Sequence, residues 1–129
     1  MRLLLDTHIW LWSLIEPARL GKQIRAELEE PANELWLSPI STWEALTLHE
    51  KRRVYLADDV AEWMARNTAP FREAHLTHEI AVAARLLTLV QKDPADRFLA
   101  ATAKVLGLTL VTADAGLLGL GEIATLGNR

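Results

Sequence analysis

The run Leu3-Leu4-Leu5 restricts the fold more than any other part of the chain. A strand with one wet face alternates apolar and polar side chains. This run is apolar at every position, so both of its faces must be covered, the condition of a central strand in a parallel sheet. Parallel neighbours need crossover connections of helical length. The run leads directly into Asp6-Thr7-His8 and then into residues apolar on almost every side as far as Ile15, the pattern of a buried helix. A second run of the same kind, Leu108-Thr109-Leu110-Val111-Thr112, has Asp114 just beyond its end. A carboxylate beside such apolar surroundings is costly unless it caps a helix or is paired.

The rest of the chain alternates helix and strand patterns. Pro17 and Gly21 precede a charged helix over Lys22 to Glu30, and Pro31-Ala32-Asn33 separates it from a strand over Glu34 to Ser38. Ser41 is predicted to start a helix reaching about Arg53, and a further helix fits Asp58 to Asn67 with Asp58-Asp59 at its start. Phe71 to Leu76 is a weaker strand candidate, and Thr77 is predicted to cap a helix extending to Val90. Asp93-Pro94 opens the clearest helix, which ends at Gly107, since Asp caps, proline suits the first turn and glycine suits the exit. A short closing strand fits Glu122 to Leu126. This order predicts an α/β fold, a three-layer α/β/α sandwich with a central, mainly parallel sheet of four to five strands, formed by a single domain over residues 1–129.

The chain has no cysteine, which excludes disulfides, thiolate metal sites and cysteine nucleophiles. Any metal would be held by oxygen or imidazole, and His8, His49, His75 and His78 do not have ligand spacing. Oxygen donors suit Mg²⁺ or Mn²⁺. A net charge of −3 argues against a uniformly basic nucleic-acid coat, while leaving room for a local basic strip beside concentrated acids. No apolar run reaches membrane-spanning length and no cleavage site follows the first residues, so a cytoplasmic protein without membrane attachment is expected.

Four acids stand out, each with an ordinary structural explanation. Asp6 is placed to cap the helix after it, and Glu44 completes a capping box with Ser41. Asp96 sits in a helix first turn, where a negative charge suits the dipole, and Asp114 is placed to cap the segment Ala115 to Leu118. In a parallel sheet, however, every strand-to-helix junction lies on one edge, where ligands bind. Four carboxylates meeting there would repel one another without a cation. Convergence is therefore the discriminating expectation.

The segments Leu3-Leu4-Leu5-Asp6-Thr7-His8, Ser41-Thr42-Trp43-Glu44-Ala45, Asp93-Pro94-Ala95-Asp96-Arg97-Phe98-Leu99-Ala100-Ala101-Thr102-Ala103 and Leu110-Val111-Thr112-Ala113-Asp114 together resemble PIN-domain ribonucleases. The length and the Asp-Pro-x-Asp-Arg form are similar to the VapC toxins of type II toxin–antitoxin pairs. The resemblance implies that Asp6, Glu44, Asp96 and Asp114 hold one or two Mg²⁺ or Mn²⁺ ions and hydrolyse RNA, leaving a 5′-phosphate and a 3′-hydroxyl. It also implies a homodimer and a VapB-like antitoxin whose C-terminal segment obstructs the acidic pocket. Thr7, Thr112 and Asp93 are candidates for supporting the ligands by hydrogen bonds, with plain strand or cap roles as the alternative.

Lys51, Arg52 and Arg53 are candidate phosphate contacts, although positive charge at a helix end also answers the dipole. The segment departs from the Gly-Lys that often ends this helix in the family. Arg97 is placed either to pair with an acid or to meet RNA. Trp36, Trp43 and Trp63 are expected in the core, and Trp10 and Trp12 on a helix wholly buried or shared with a partner. A phosphoacceptor receiver would need an acidic neighbour for Asp6, and a dehalogenase-type phosphatase would need Asp-x-Asp; Asp6-Thr7-His8 supplies neither. An RNA-processing nuclease and a non-catalytic binding module on the same fold remain as alternatives.

Overall fold

A computed structural model describes residues 1–88 and 93–129. Strand β1 (Arg2–Leu5) runs into helix α1 (Thr7–Ile15), followed by a short turn at Pro17–Arg19 and α2 (Lys22–Glu29). Then come β2 (Glu34–Leu37), α3 (Pro39–Glu50), α4 (Val60–Thr68), β3 (Arg72–Glu73) and α5 (His78–Leu86). The chain closes with α6 (Pro94–Leu106), β4 (Thr109–Thr112), α7 (Ala115–Leu118) and β5 (Ala124–Gly127).

The described strands form one sheet in the order β3-β2-β1-β4-β5, with parallel pairing throughout. β1 is central, with Leu4 in register with Trp36 on one side and Leu110 on the other. Its side chains alternate between two apolar layers. Leu4 and Leu110 join Ile80, Ala84, Leu99 and Ala103 from α5 and α6. Leu3, Leu5 and Val111 join Ile9, Trp10, Ile24 and Met64 on the opposite face. Both faces of the Leu3–Leu5 run are thereby covered, and all three side chains are buried.

Helix α6 forms where its signals predicted. The Asp93 carboxylate accepts from Ala95 N–H at 3.0 Å, Pro94 follows, and Gly107 takes a left-handed φ of 65° at the exit. Helix α3 begins earlier than expected. Ser38 is its cap, accepting from Ile40 N–H at 3.1 Å ahead of Pro39, so Ser41 and Glu44 do not form a capping box. Thr77 caps α5, which ends at Leu86, where Leu87 turns extended; residues 89 and 90 of the longer predicted helix lie outside the described residues. Asp59 caps α4, while Asp58 accepts a hydrogen bond from the Tyr55 hydroxyl.

One expectation about α3 is corrected. Trp43 is 67% exposed and not part of the core. Ser41 and Ala45 fix the inward side of the helix, and Trp43 lies about 200° around from Ser41 at roughly 100° per residue. Trp36 and Trp63 do pack against the two cores, and Trp10 is fully buried with its ring 5.8 Å from that of Trp63. Among the described residues no helix is long and apolar enough to cross a membrane.

Candidate metal centre

Because β1 and β4 are parallel neighbours, their C-terminal ends emerge side by side. Asp6 N–H donates to Val111 O at 2.9 Å, which ties the first residue past β1 to the adjacent strand. The Asp6 carboxylate then accepts from Thr7 N–H at 2.7 Å and from the Thr112 hydroxyl at 2.7 Å. Thr112 in turn accepts from the Asp114 N–H at 3.0 Å, so one hydroxyl links the two acids. Asp114 also caps α7, its Oδ1 accepting from Leu117 N–H at 3.1 Å.

Glu44 approaches from α3. The Thr7 hydroxyl donates to its Oε1 at 2.5 Å and lies 2.9 Å from the buried Ser41 hydroxyl. Asp96 occupies the first turn of α6, with Asp93 acting as the cap before it. Cap and candidate ligand are thus compatible roles for Asp6 and Asp114.

The acids feel one another. Burial raises the Asp6 carboxyl above its ordinary range against the opposing hydrogen bonds from Thr112 and Thr7, and the Asp114 charge adds to the rise. Burial likewise raises Glu44, with Thr7 opposing and Asp6 and Asp93 reinforcing. Asp96 is pushed up to about 7, first by burial and then by Asp93, Asp6, Asp114 and Glu44. Like charges in mutual range favour protonation of one member or recruitment of a cation. Among the described residues, no group of three or more His, Asp or Glu side chains is set to hold a metal ion. The donor chemistry still fits a hard divalent ion. It is all oxygen, and each Asp6 oxygen shown accepting one bond retains a further lone pair.

Other predicted positions are placed as follows. Lys51, Arg52 and Arg53 are exposed at the end of α3. Arg52 has a φ of 58°, with its N–H donating to His49 O at 3.0 Å and that of Arg53 to Leu48 O at 2.9 Å. The Arg97 guanidinium donates to Ala84 O at 3.0 Å and Leu87 O at 3.2 Å, closing the end of α5. Sequence reasoning did not find Ser41 or His8 as neighbours of the acids. Ser41 was masked by its apparent cap role, and the His8 side chain is near enough to offset the charge of both Asp6 and Glu44.

Residues 3–122 match the PIN domain family. The chain belongs to that family. It is 37% identical over 112 residues to ribonuclease VapC22 of Mycobacterium tuberculosis (strain ATCC 25618 / H37Rv), covering 86% of this chain and 85% of that protein. Its fold is similar to that of DNA-bound VapBC from Salmonella typhimurium, with a TM-score of 0.76, 15% identity and coverage of 100% and 99% of the two chains. VapBC2 from Rickettsia felis, bound to a DNA fragment from its promoter, gives a TM-score of 0.74 at 14% identity over the whole of both chains. In this PIN domain the order β3-β2-β1-β4-β5 sets Asp6 and Asp114 beyond adjacent strands, with Glu44 and Asp96 in helices entering beside them.

Proposed function

We propose that this PIN domain is a metal-dependent endoribonuclease, the toxin of a VapBC-type pair. The observation that carries the reading is the hydrogen-bonded edge in which Thr112 donates to Asp6 and accepts from the Asp114 N–H while Thr7 donates to Glu44, with the Asp96 carboxyl raised by burial and by the charges of these acids. The ribonuclease relative and the VapBC fold neighbours support the same direction. The site residues are Asp6, Glu44, Asp96 and Asp114 as ligands of Mg²⁺ or Mn²⁺, with Thr7 and Thr112 orienting them. Asp93 serves the helix and adds negative charge. RNA is the substrate, a VapB-like antitoxin and a second copy of the chain are partners, and the cytoplasm is the compartment.

A bound divalent ion supplies an activated water and offsets charge on the phosphate and the leaving oxygen. The chain's own groups do the positioning. Thr112 and the Thr7 N–H fix both oxygens of Asp6, while the Thr7 hydroxyl fixes Glu44. Asp96 would hold the ion as the deprotonated carboxylate, since ligands must be deprotonated. Hydrolysis then leaves a 5′-phosphate and a 3′-hydroxyl.

Purified protein is expected to cut RNA with Mg²⁺ or Mn²⁺, and Asp6→Asn or Asp96→Asn to reduce the rate by at least about 100-fold. Activity that survives both substitutions, or excess chelator, defeats the assignment. Expression is expected to arrest growth, with relief by a co-expressed VapB-like neighbour. Cleavage without growth arrest would point to RNA processing instead.

A further inference from the structure

A cavity of about 260 Å³ opens between α1 and the far end of α3. His8, Trp12, Arg19, Leu48 and Arg53 are among its lining residues. One of its lining residues, His8, lies in the first turn of α1, the helix that Asp6 caps. His8 is two residues past Asp6 in the chain. Leu48 lies one helical turn beyond Glu44 on α3.

The charge of this cavity is opposite to that of its neighbour. Arg19 and Arg53 contribute two guanidiniums, against the single carboxylate of Glu16. Neither arginine has a carboxylate partner among the described residues. Arg19 is also held in place. Its guanidinium lies over the Trp12 ring at 4.4 Å, and its backbone is fixed by N–H donation to Glu16 O at 3.0 Å and acceptance from Asn128 Nδ2 at 3.0 Å. A stacked guanidinium keeps its fork of donors free and loses less rotamer entropy when an anion arrives. Planar guanidiniums match phosphate oxygens in pairs.

We propose that this cavity is a phosphate subsite for the RNA backbone flanking the bond to be cut, with Arg19 and Arg53 as its cations and Trp12 as the positioning residue for Arg19. The proposal rests on the nuclease reading for its choice of RNA over an acidic protein segment. It also answers a physical difficulty: a chain of net charge −3 must bring a polyanion to a cluster of carboxylates. A local positive cavity beside the cluster supplies the attraction.

The test measures binding of a short fluorescent single-stranded RNA in chelator, where cleavage is off, across a range of KCl concentrations. Arg19→Ala and Arg53→Ala are each expected to weaken binding about 3- to 10-fold and to lower the salt slope by about 0.7, the loss of one phosphate contact. Arg19→Lys is expected to keep the slope, and Trp12→Leu to weaken binding without changing it. With Mg²⁺, the alanine variants are expected to raise KM while kcat stays within about twofold. Binding and slope equal to wild type in both alanine variants overturns the subsite, as does a wild type with no measurable RNA binding. Alanine variants that bind RNA normally but lose affinity for an acidic partner peptide overturn it too. Arginine-dependent binding without Mg²⁺-dependent cleavage supports the subsite and removes the nuclease reading.

Discussion

Asp96 is the residue whose protonation says most about the site. Its carboxyl titrates near 3.8 when unfolded and is pushed up to about 7 in the metal-free fold. A raised carboxyl favours folding only while protonated, so its stabilising effect is complete below the unfolded value and is lost as pH rises through the folded one. Metal-free wild type is therefore expected to lose stability between about pH 4 and pH 7 relative to Asp96→Asn. Because the group is only half-buried, the gap at about pH 8 is expected to be about 1–2 kcal/mol, not the full value of the shift. Urea unfolding in chelator at both ends of that range measures it, and a gap independent of pH would show that the Asp96 carboxyl is not raised in the fold. Two tryptophans offer a contrast at the same scale. Trp10→Ala is expected to cost about 3–5 kcal/mol as a fully buried truncation, and Trp43→Ala less than about 0.5, because its ring is already in water.

At the scale of elements, the end of α3 is a helix exit built with an unusual residue. Arg53 N–H bonds to Leu48 O and Arg52 N–H to His49 O, the paired closure that normally places glycine in the left-handed position. Here Arg52 takes it at a φ of 58°. Arg52→Gly is expected to raise stability by about 0.5–1 kcal/mol, read as a higher urea midpoint with unchanged slope. A lower midpoint would mean that the side chain stabilises the exit in a way its geometry does not show. The sequence made α6 fully legible because its cap, its first-turn proline and its terminal glycine are all local. The start of α3 was not, because Ser38-Pro39 and Ser41…Glu44 are both credible local caps. The choice between them is tertiary, since Ser41 meets Thr7 of another helix. The exposure of Trp43 follows from helical phase, since Ser41 and Ala45 take the buried side and Trp43 lies about 200° from Ser41.

At the scale of the whole molecule, a parallel sheet does what no single motif could express. It brings residues from both ends of the chain to one edge, as when Thr112 donates to Asp6. The four acids were readable as a list, but their proximity depends on the strand order β3-β2-β1-β4-β5, which no local motif encodes. Such an edge links stability to cation concentration. If Asp6, Glu44, Asp96 and Asp114 bind one ion in the fold and not in the unfolded chain, Mg²⁺ or Mn²⁺ at about 100 times its Kd adds about 2.7 kcal/mol of stability. Ion and proton compete for Asp96, so the gain is expected to be larger above pH 7 than below it. Calorimetric unfolding of the full chain, with metal titrated at about pH 6 and pH 8, measures both effects. Asp6→Asn is expected to abolish most of the gain, while Trp43→Ala leaves it intact. A midpoint that ignores the ion at both pH values would show that these carboxylates gather without forming a metal site.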